Sequence, residues 1–302
     1  MAFPSYLALT ESDWRSRIDA LREMYSPCEL CPRVCRARRA NGVAGECGIA
    51  NELFVGSVNL HHGEEPPISG HRGSGTVFFS GCNLHCLFCQ NYPLSQMLHG
   101  APMTIERLAD AYLELERKGA HNLNLVTPSH VNLHWFEALY IAVQKGFRLP
   151  IVYNSGGYDR VEVLQLFDGV IDIYMPDAKY RDDRLAMKLS QAPDYPRIND
   201  AALREMFRQV GTLETDESGV ARRGLLVRHL MIPGQLQNTL EVLDAIAGIS
   251  PDIALSLMTQ YFPAHKAPIT PGMDARVTRD EYRAAEKRCR ELGLVNGYFQ
   301  RM

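Results

Sequence analysis

Residues 76–91 read TVFFSGCNLHCLFCQN: a β-branched and aromatic run, a glycine, and then cysteines at positions 82, 86 and 89. The run has strand composition, and Gly81 punctuates its end. Three thiols within eight residues, spaced C-x3-C-x2-C, form a ligand set for a soft metal: an iron–sulfur cluster, zinc or Cu(I). A four-iron cluster takes four cysteines as a rule. Three leave one iron without a protein ligand and open to an exogenous molecule. The competing reading is a chance grouping of inert cysteines.

Downstream of this stretch, short apolar or β-branched runs alternate with helical patterns. Strands are expected at TVFF (from Thr76), NLNLV (from Asn122), IVY (from Ile151), IDIYM (from Ile171), GLLVRHLM (from Gly224) and IALSLM (from Ile253). Between them lie amphipathic stretches. TIERLADAYLELERKG opens on Thr104 as a cap and ends at Gly119, VNLHWFEALYIAVQKG ends at Gly146, and TLEVLDAIAG is a third. Six strands, most followed by a helix, predict parallel βαβ units. A partly closed barrel would seat its site on the loops after the strands; a doubly wound open sheet is the alternative. The chemically interesting residues do follow strands: Cys82 the first, TPSH the second, NSGGYD the third, PDAK the fourth, IPG the fifth and TQYFPAHK the sixth.

The whole chain sets the bounds. Its 302 residues, 46% hydrophobic, suffice for a sizeable core, and a formal charge of −3 argues against general nucleic-acid or membrane affinity. No apolar run approaches the ~18 residues of a membrane span. The start, MAFPSYLALTESDWRSR, has neither a basic leader nor an apolar secretory core, so a cytoplasmic protein is expected. Eight cysteines in such a chain read as reduced thiols used for metal rather than as disulfides. Before Gly75 the pattern changes to one helix, ESDWRSRIDALREMY, and a loop rich in Cys, Arg, Gly and Pro. Residues 1–74 are therefore expected to form a small Cys-rich metal-binding module and 75–302 the barrel with a C-terminal helix.

C-x3-C-x2-C, with Phe88 before its last cysteine and Asn91 behind it, resembles the signature of the radical S-adenosylmethionine superfamily. More narrowly, GEEPPISGHRGSGTVFFSGCNLHCLFCQN and NLNLVTPSH resemble the pyruvate formate-lyase activating enzyme group, in its branch of uncharacterised activating-enzyme-like iron–sulfur proteins. The resemblance runs over nearly the whole chain and implies an α/β partial (β/α)6 TIM-like barrel. It implies that Cys82, Cys86 and Cys89 hold a [4Fe–4S] cluster whose open iron chelates S-adenosylmethionine. Reductive cleavage would then give a 5′-deoxyadenosyl radical that abstracts hydrogen from a substrate. A glycine of a partner protein, or a small molecule, peptide or RNA, would serve as that substrate, and flavodoxin or ferredoxin as electron donor. A non-catalytic electron carrier or redox sensor is the reading outside this class.

The same resemblance assigns cofactor contacts. Where many relatives carry Gly-Gly-Glu after the second strand, this chain has Thr127-Pro128-Ser129-His130: Thr127 and Ser129 offer hydroxyls, and the carboxylate is missing. His130 is either a substrate-facing acid or base or a plain loop histidine. Asn154 and Ser155, with Gly156, stand where the activating enzymes help bind a monovalent cation near the cofactor. Met175, Asp177 and Lys179 match Met, Asp and Lys of those enzymes, with a simple Asp177–Lys179 ion pair as the alternative for Asp177. Arg228, His229 and His265 match the fifth and sixth strand ends, His229 doubling as a candidate core histidine.

A second thiol set precedes the barrel. CELCPRVCRARRANGVAGEC places Cys28, Cys31, Cys35 and Cys47 in a knuckle-like arrangement. Structural zinc and an auxiliary iron–sulfur cluster both suit four thiolates. Arg33, Arg36, Arg38 and Arg39 would offset the charge, dock an acidic electron donor or form a solvated loop. Cys289, alone in the last helix, is expected to be a buried helix residue.

Overall fold

The computed structural model describes residues 3–300. Strand β1 (Leu53–His61) pairs antiparallel with β2 (Ser74–Phe79) and with the short β3 (Ala101–Met103). From β2 onward the sheet is parallel and in chain order: β4 (Leu123–Val126), β5 (Ile151–Ser155), β6 (Ile173–Pro176), β8 (Ala221–Leu230) and β9 (Ala254–Met258). Strand β7 (Glu214–Thr215) hangs antiparallel on β8, and β10 (Gly297–Phe299) extends the sheet beyond β9. Sequential order without reversal excludes the doubly wound alternative, in which the strand order reverses at a switch point.

Helices fill the crossovers. After α1 (Glu11–Glu23), α2 (Pro66–Ser69) and α3 (Tyr92–Ser95) come α4 (Ile105–Arg117), α5 (Asn132–Gln144), α6 (Val161–Gln165), α7 (Asp183–Ser190), α8 (Tyr195–Val210), α9 (Leu236–Ala247) and α10 (Arg279–Leu292). Thr104 Oγ1 caps α4 by accepting from Arg107 N at 3.3 Å. Gly119 and Gly146 follow α4 and α5 with φ of +83° and +99°. These are the start and stop signals expected from the sequence.

Side-chain alternation shows how the sheet curls. Leu125, Tyr153, Tyr174, Val227 and Leu255 face outward into the core beneath the helices. One residue away on the same strands, Val152, Ile173, Leu226 and Ala254 meet one another on the inner face together with Ile68 of α2. Side chains of four successive strands can converge on one face only when the sheet is bent around it. The result is a partial barrel, open between β10 and β3. Ile68, fully buried, plugs its lower end and contributes roughly 1.5–3 kcal/mol by that burial.

The boundary expected near residue 74 falls inside the β1–β2 hairpin, where His61 pairs with Ser74. Helix α1 likewise packs on the barrel's outer layer, with Trp14 and Phe136 ring centroids 5.0 Å apart. One hydrophobic core takes in the described residues on both sides of that boundary, from Tyr6 to Leu294. Residues 1–2 and 301–302 of the two expected units lie outside the described residues.

Candidate functional site

Strand β2 delivers the three-cysteine loop to the C-terminal mouth of the barrel. Gly81 makes the turn at φ +83°, and a Cβ there would lie 2.6 Å from the Cys47 carbonyl oxygen, so the position demands glycine. The loop is pinned from all sides. Arg33 Nε donates to Asn83 O at 2.8 Å, Asn83 Nδ2 to Tyr158 O at 2.7 Å, His85 N to Ser190 O at 3.1 Å and Leu87 N to Leu189 O at 2.9 Å. Each sulfur also has a polar neighbour. Leu84 N donates to Cys82 Sγ at 3.3 Å, Ser190 Oγ to Cys86 Sγ at 3.0 Å, and Ser95 Oγ lies 3.2 Å from Cys89 Sγ.

Burial pushes the Cys82 and Cys86 thiols above their ordinary range, and for Cys86 the Lys179 ammonium works in the opposite direction. A thiol so placed keeps its proton until a metal cation displaces it and the proton is released to solvent. Among the described residues no group of three or more His, Cys, Asp or Glu side chains gathers as it would around a single ion. The three cysteines instead line a shared cavity of about 360 Å³ in the barrel mouth and lumen.

That cavity brings together Thr127, Asn154, Ser155, Gly156, Asp177, Lys179 and Arg228 with the three cysteines. Asp177 and Lys179 form an ion pair at its rim. Burial opposes the charged Lys179 amine, but Asp177, Cys86 and Cys89 outweigh it and hold the amine protonated. Ser155 Oγ donates to the buried Asp159 at 2.6 Å, and Tyr153 Oη donates to the other carboxylate oxygen at 2.9 Å, so Asp159 fixes this loop from behind. Gly157, at φ +69°, is approached by the Asp177 backbone: a Cβ there would collide with the Asp177 carbonyl oxygen. The Gly156-Gly157 pair thus serves loop-to-loop packing as well as access to the cavity.

Five expected contacts lie elsewhere. His130 is buried behind the cysteine loop, with Nε2 2.8 Å from Ser80 O, and burial lowers it to about 3. It is neutral at physiological pH and does not face the cavity, which corrects its assignment as acid or base. Ser129 is buried beside it. His229 has both ring nitrogens engaged, with Ala178 O at 2.6 Å and Thr239 Oγ1 at 3.0 Å, so the core-histidine alternative holds. Met175 packs into the inner-face apolar cluster. His265 stacks on Tyr92 at 5.0 Å outside the cavity wall.

Sequence reading missed His61, Glu64, Gln90 and Gln260, which also line the cavity. They come from the end of β1, the β1–α2 turn, the residue after Cys89 and the loop beyond β9. A larger cavity of about 470 Å³ lies on the outside of the barrel between α1, α4 and α5. Its charged lining is occupied with itself, as in the Arg22–Glu137 pair at 2.6 Å.

The N-terminal thiols sit directly behind this loop. Cys28 and Cys31 are buried, Cys35 and Cys47 half-buried, and all eight cysteines are unpaired. Arg39, with no exposed surface, donates to His130 O at 2.7 Å and Ala50 O at 3.0 Å, lies over the Tyr25 ring at 4.8 Å and approaches Cys28 Sγ at 3.9 Å. Its Nη2 has no hydrogen-bond partner. Arg33 is likewise engaged, whereas the Arg36 side chain is 73% exposed. The four arginines are therefore not one solvated loop.

No family model matches the chain. Among curated proteins, an uncharacterised protein of Methanocaldococcus jannaschii is 28% identical over 281 residues, covering 89% of this chain and 76% of its own length. Among solved structures, Streptococcus suis SuiB bound to S-adenosylmethionine aligns with 72% of this chain at 13% identity and a TM-score of 0.48. The chain spans about half of SuiB, 47% of its length. Methylornithine synthase aligns over 72% of this chain and 67% of its own, at 16% identity and a TM-score of 0.45.

Proposed function

We propose that this chain is a radical S-adenosylmethionine enzyme. The observation that carries the reading is the C-x3-C-x2-C loop, which brings all three cysteines to one cavity at the C-terminal mouth of a parallel barrel, with no fourth cysteine lining that cavity. The residues fit a [4Fe–4S] cluster: each thiol has a polar neighbour, and burial disfavours bare thiolates. Held there by Cys82, Cys86 and Cys89, a cluster would supply the one-electron reduction of the S-adenosylmethionine sulfonium on which hydrogen abstraction from a substrate depends.

The chain's own residues orient and enclose. Asn154 and Thr127 present polar groups at the rim, and Asp177 offers a carboxylate to an amino group or a monovalent cation. Gly156, which lacks a Cβ, leaves room beside Leu84 of the cysteine loop. Arg36 and Arg38, exposed beside the N-terminal thiols, suit an acidic flavodoxin or ferredoxin. Cys28, Cys31, Cys35 and Cys47 hold a second metal centre, with the buried Arg39 offsetting its negative charge. Cysteines read as reduced thiols support a cytoplasmic location; among the described residues no helix is long and apolar enough to cross a membrane. A glycine of a partner protein is the substrate class that the activating-enzyme resemblance suggests.

Anaerobic reconstitution with iron and sulfide, reduction, and assay for 5′-deoxyadenosine test the reading. Product that disappears when Cys82, Cys86 and Cys89 are replaced supports it. A reduced, cluster-bearing protein that leaves S-adenosylmethionine intact would instead be an electron carrier.

A further inference from the structure

Below the cysteine loop, the lumen holds a second polar constellation. The turn HGEEPPISG, residues 62–70, enters the barrel from its lower end with Ile68 as the apolar plug. It raises Glu64 and Glu65 toward Arg228, which reaches in from β8: Arg228 Nη1 is 3.4 Å from Glu64 Oε2, and Arg228 Nε is 3.3 Å from Glu65 Oε1. On the opposite wall Asn124 of β4 donates through Nδ2 to Glu64 Oε1 at 3.3 Å. Both carboxylate side chains are only 7% exposed, and Glu64 lines the cavity that holds the cysteines.

Two features distinguish this group from a structural ion pair. Two carboxylates share one guanidinium, which alone does not compensate both: burial and the neighbouring Glu65 push the Glu64 carboxyl up against the pull of Arg228. In addition, Glu65 Oε2, Asn124 Oδ1 and Arg228 Nε are buried without hydrogen-bond partners. Buried polar atoms are satisfied as a rule, and an uncompensated buried carboxylate is costly. Two of the three unpartnered atoms are acceptors. The unpartnered acceptors therefore suit a donor carrying positive charge; an anion would meet an arginine already flanked by two carboxylates.

We propose that this floor is the subsite for a cationic amine of the substrate: an alkylammonium or guanidinium group of a small molecule, bound by Glu64 and Glu65 with Asn124 Oδ1 as a neutral acceptor. As a substrate subsite it rests on the radical S-adenosylmethionine reading above, and it takes a small molecule rather than a protein glycine as the substrate. Amine binding itself needs neither S-adenosylmethionine nor reductant, so the two readings fail separately.

Calorimetric titration of the anaerobically purified full-length protein tests it, using agmatine and n-butylammonium as probes and butyrate as the control of opposite charge. One saturable site for the cations and none for butyrate is expected. Glu64→Gln should weaken that site about ten- to hundredfold, the loss of one charge-assisted contact. Glu65→Gln provides an independent measure should the first variant not fold, and the preference of the unaltered protein for butylammonium over butyrate needs no variant. The proposal is overturned if butyrate binds as well as butylammonium or if neither cation saturates. It is equally overturned if folded Glu64→Gln binds amine unchanged, or loses S-adenosylmethionine affinity by the same factor as amine affinity.

Discussion

Replacing Arg39 by methionine reports the state of the N-terminal thiols through the size of its effect in two conditions. Two contributions are common to both. The carbonyl oxygens of His130 and Ala50 lose donors at 2.7 and 3.0 Å, at about 1–3 kcal/mol each, and the guanidinium no longer has to be desolvated, which returns several kcal/mol. What differs is the charge beside it. Without metal, burial pushes Cys31 and Cys47 above their ordinary range, so both remain neutral thiols and Arg39 is a buried cation without an anionic partner. With a divalent metal or an iron–sulfur cluster, four thiolates leave a net charge of about −2 for Arg39 to offset. Removing one member of a buried charge pair costs about 3–5 kcal/mol, whereas removing a lone buried charge for an apolar group is close to neutral.

The measurement is thermal unfolding of Arg39→Met and its parent, each metal-loaded and chelator-stripped. All four are made in a Cys82→Ala, Cys86→Ala, Cys89→Ala background so that only the N-terminal site is titrated. At about 2 °C per kcal/mol, the substitution should lower the Tm by about 6–10 °C more in the loaded protein than in the stripped one. Equal shifts in the two states would refute the charge-compensation argument. Absence of both zinc and iron from the loaded protein would remove its premise.

Three further outcomes are expected. The cysteine triple variant should lose the S-adenosylmethionine-responsive cluster signal and 5′-deoxyadenosine formation while keeping its far-ultraviolet circular dichroism, because the loop is also pinned by Arg33 and Asn83. Asp177→Asn should weaken S-adenosylmethionine binding about ten- to hundredfold, read by titration against the reduced cluster's electron paramagnetic resonance signal; unchanged affinity would leave Asp177 as the partner of Lys179 alone. Gly157→Ala should destabilise the protein by more than about 2 kcal/mol in denaturant unfolding, because the left-handed backbone costs an alanine about 1–2 kcal/mol before its Cβ displaces the Asp177 carbonyl; a smaller loss would mean the two loops can separate freely.

The barrel was legible because its signals are local. The six expected strands lie where β-branched and apolar runs lie, and Thr104, Gly119 and Gly146 mark helix ends by their own chemistry. The three-cysteine loop was legible for the same reason, being one continuous segment. Strand β1 was not. Leu53–His61 is interrupted by Gly56, Ser57 and Asn59, and its strand character comes from pairing with β2 and β3. The histidines failed in a different way. A histidine beside a strand end reads alike whether it faces the cavity or the wall, and only the packing behind the loop sent His130 to Ser80 and His229 to Thr239.

Glu64, Asn124 and Arg228 share no spacing, so no motif could have joined them, yet the strands carried a usable sign. A parallel barrel strand is buried on both faces and should read as nearly continuous hydrophobic sequence. Here the exceptions are specific: Asn124 lies between Leu123 and Leu125, Asn154 follows Tyr153, and Arg228 follows Val227. In each case the apolar neighbour belongs to the outer core, which by alternation turns the polar residue into the lumen. Asn122 obeys the same parity and holds the plug, donating to Ile68 O at 2.8 Å. A polar side chain placed inside a doubly buried strand is tolerated only where something within the barrel meets it. For Asn122 and Arg228 that partner is the chain's own turn; for Asn124, the unpartnered Oδ1 is the acceptor that the proposed amine would meet.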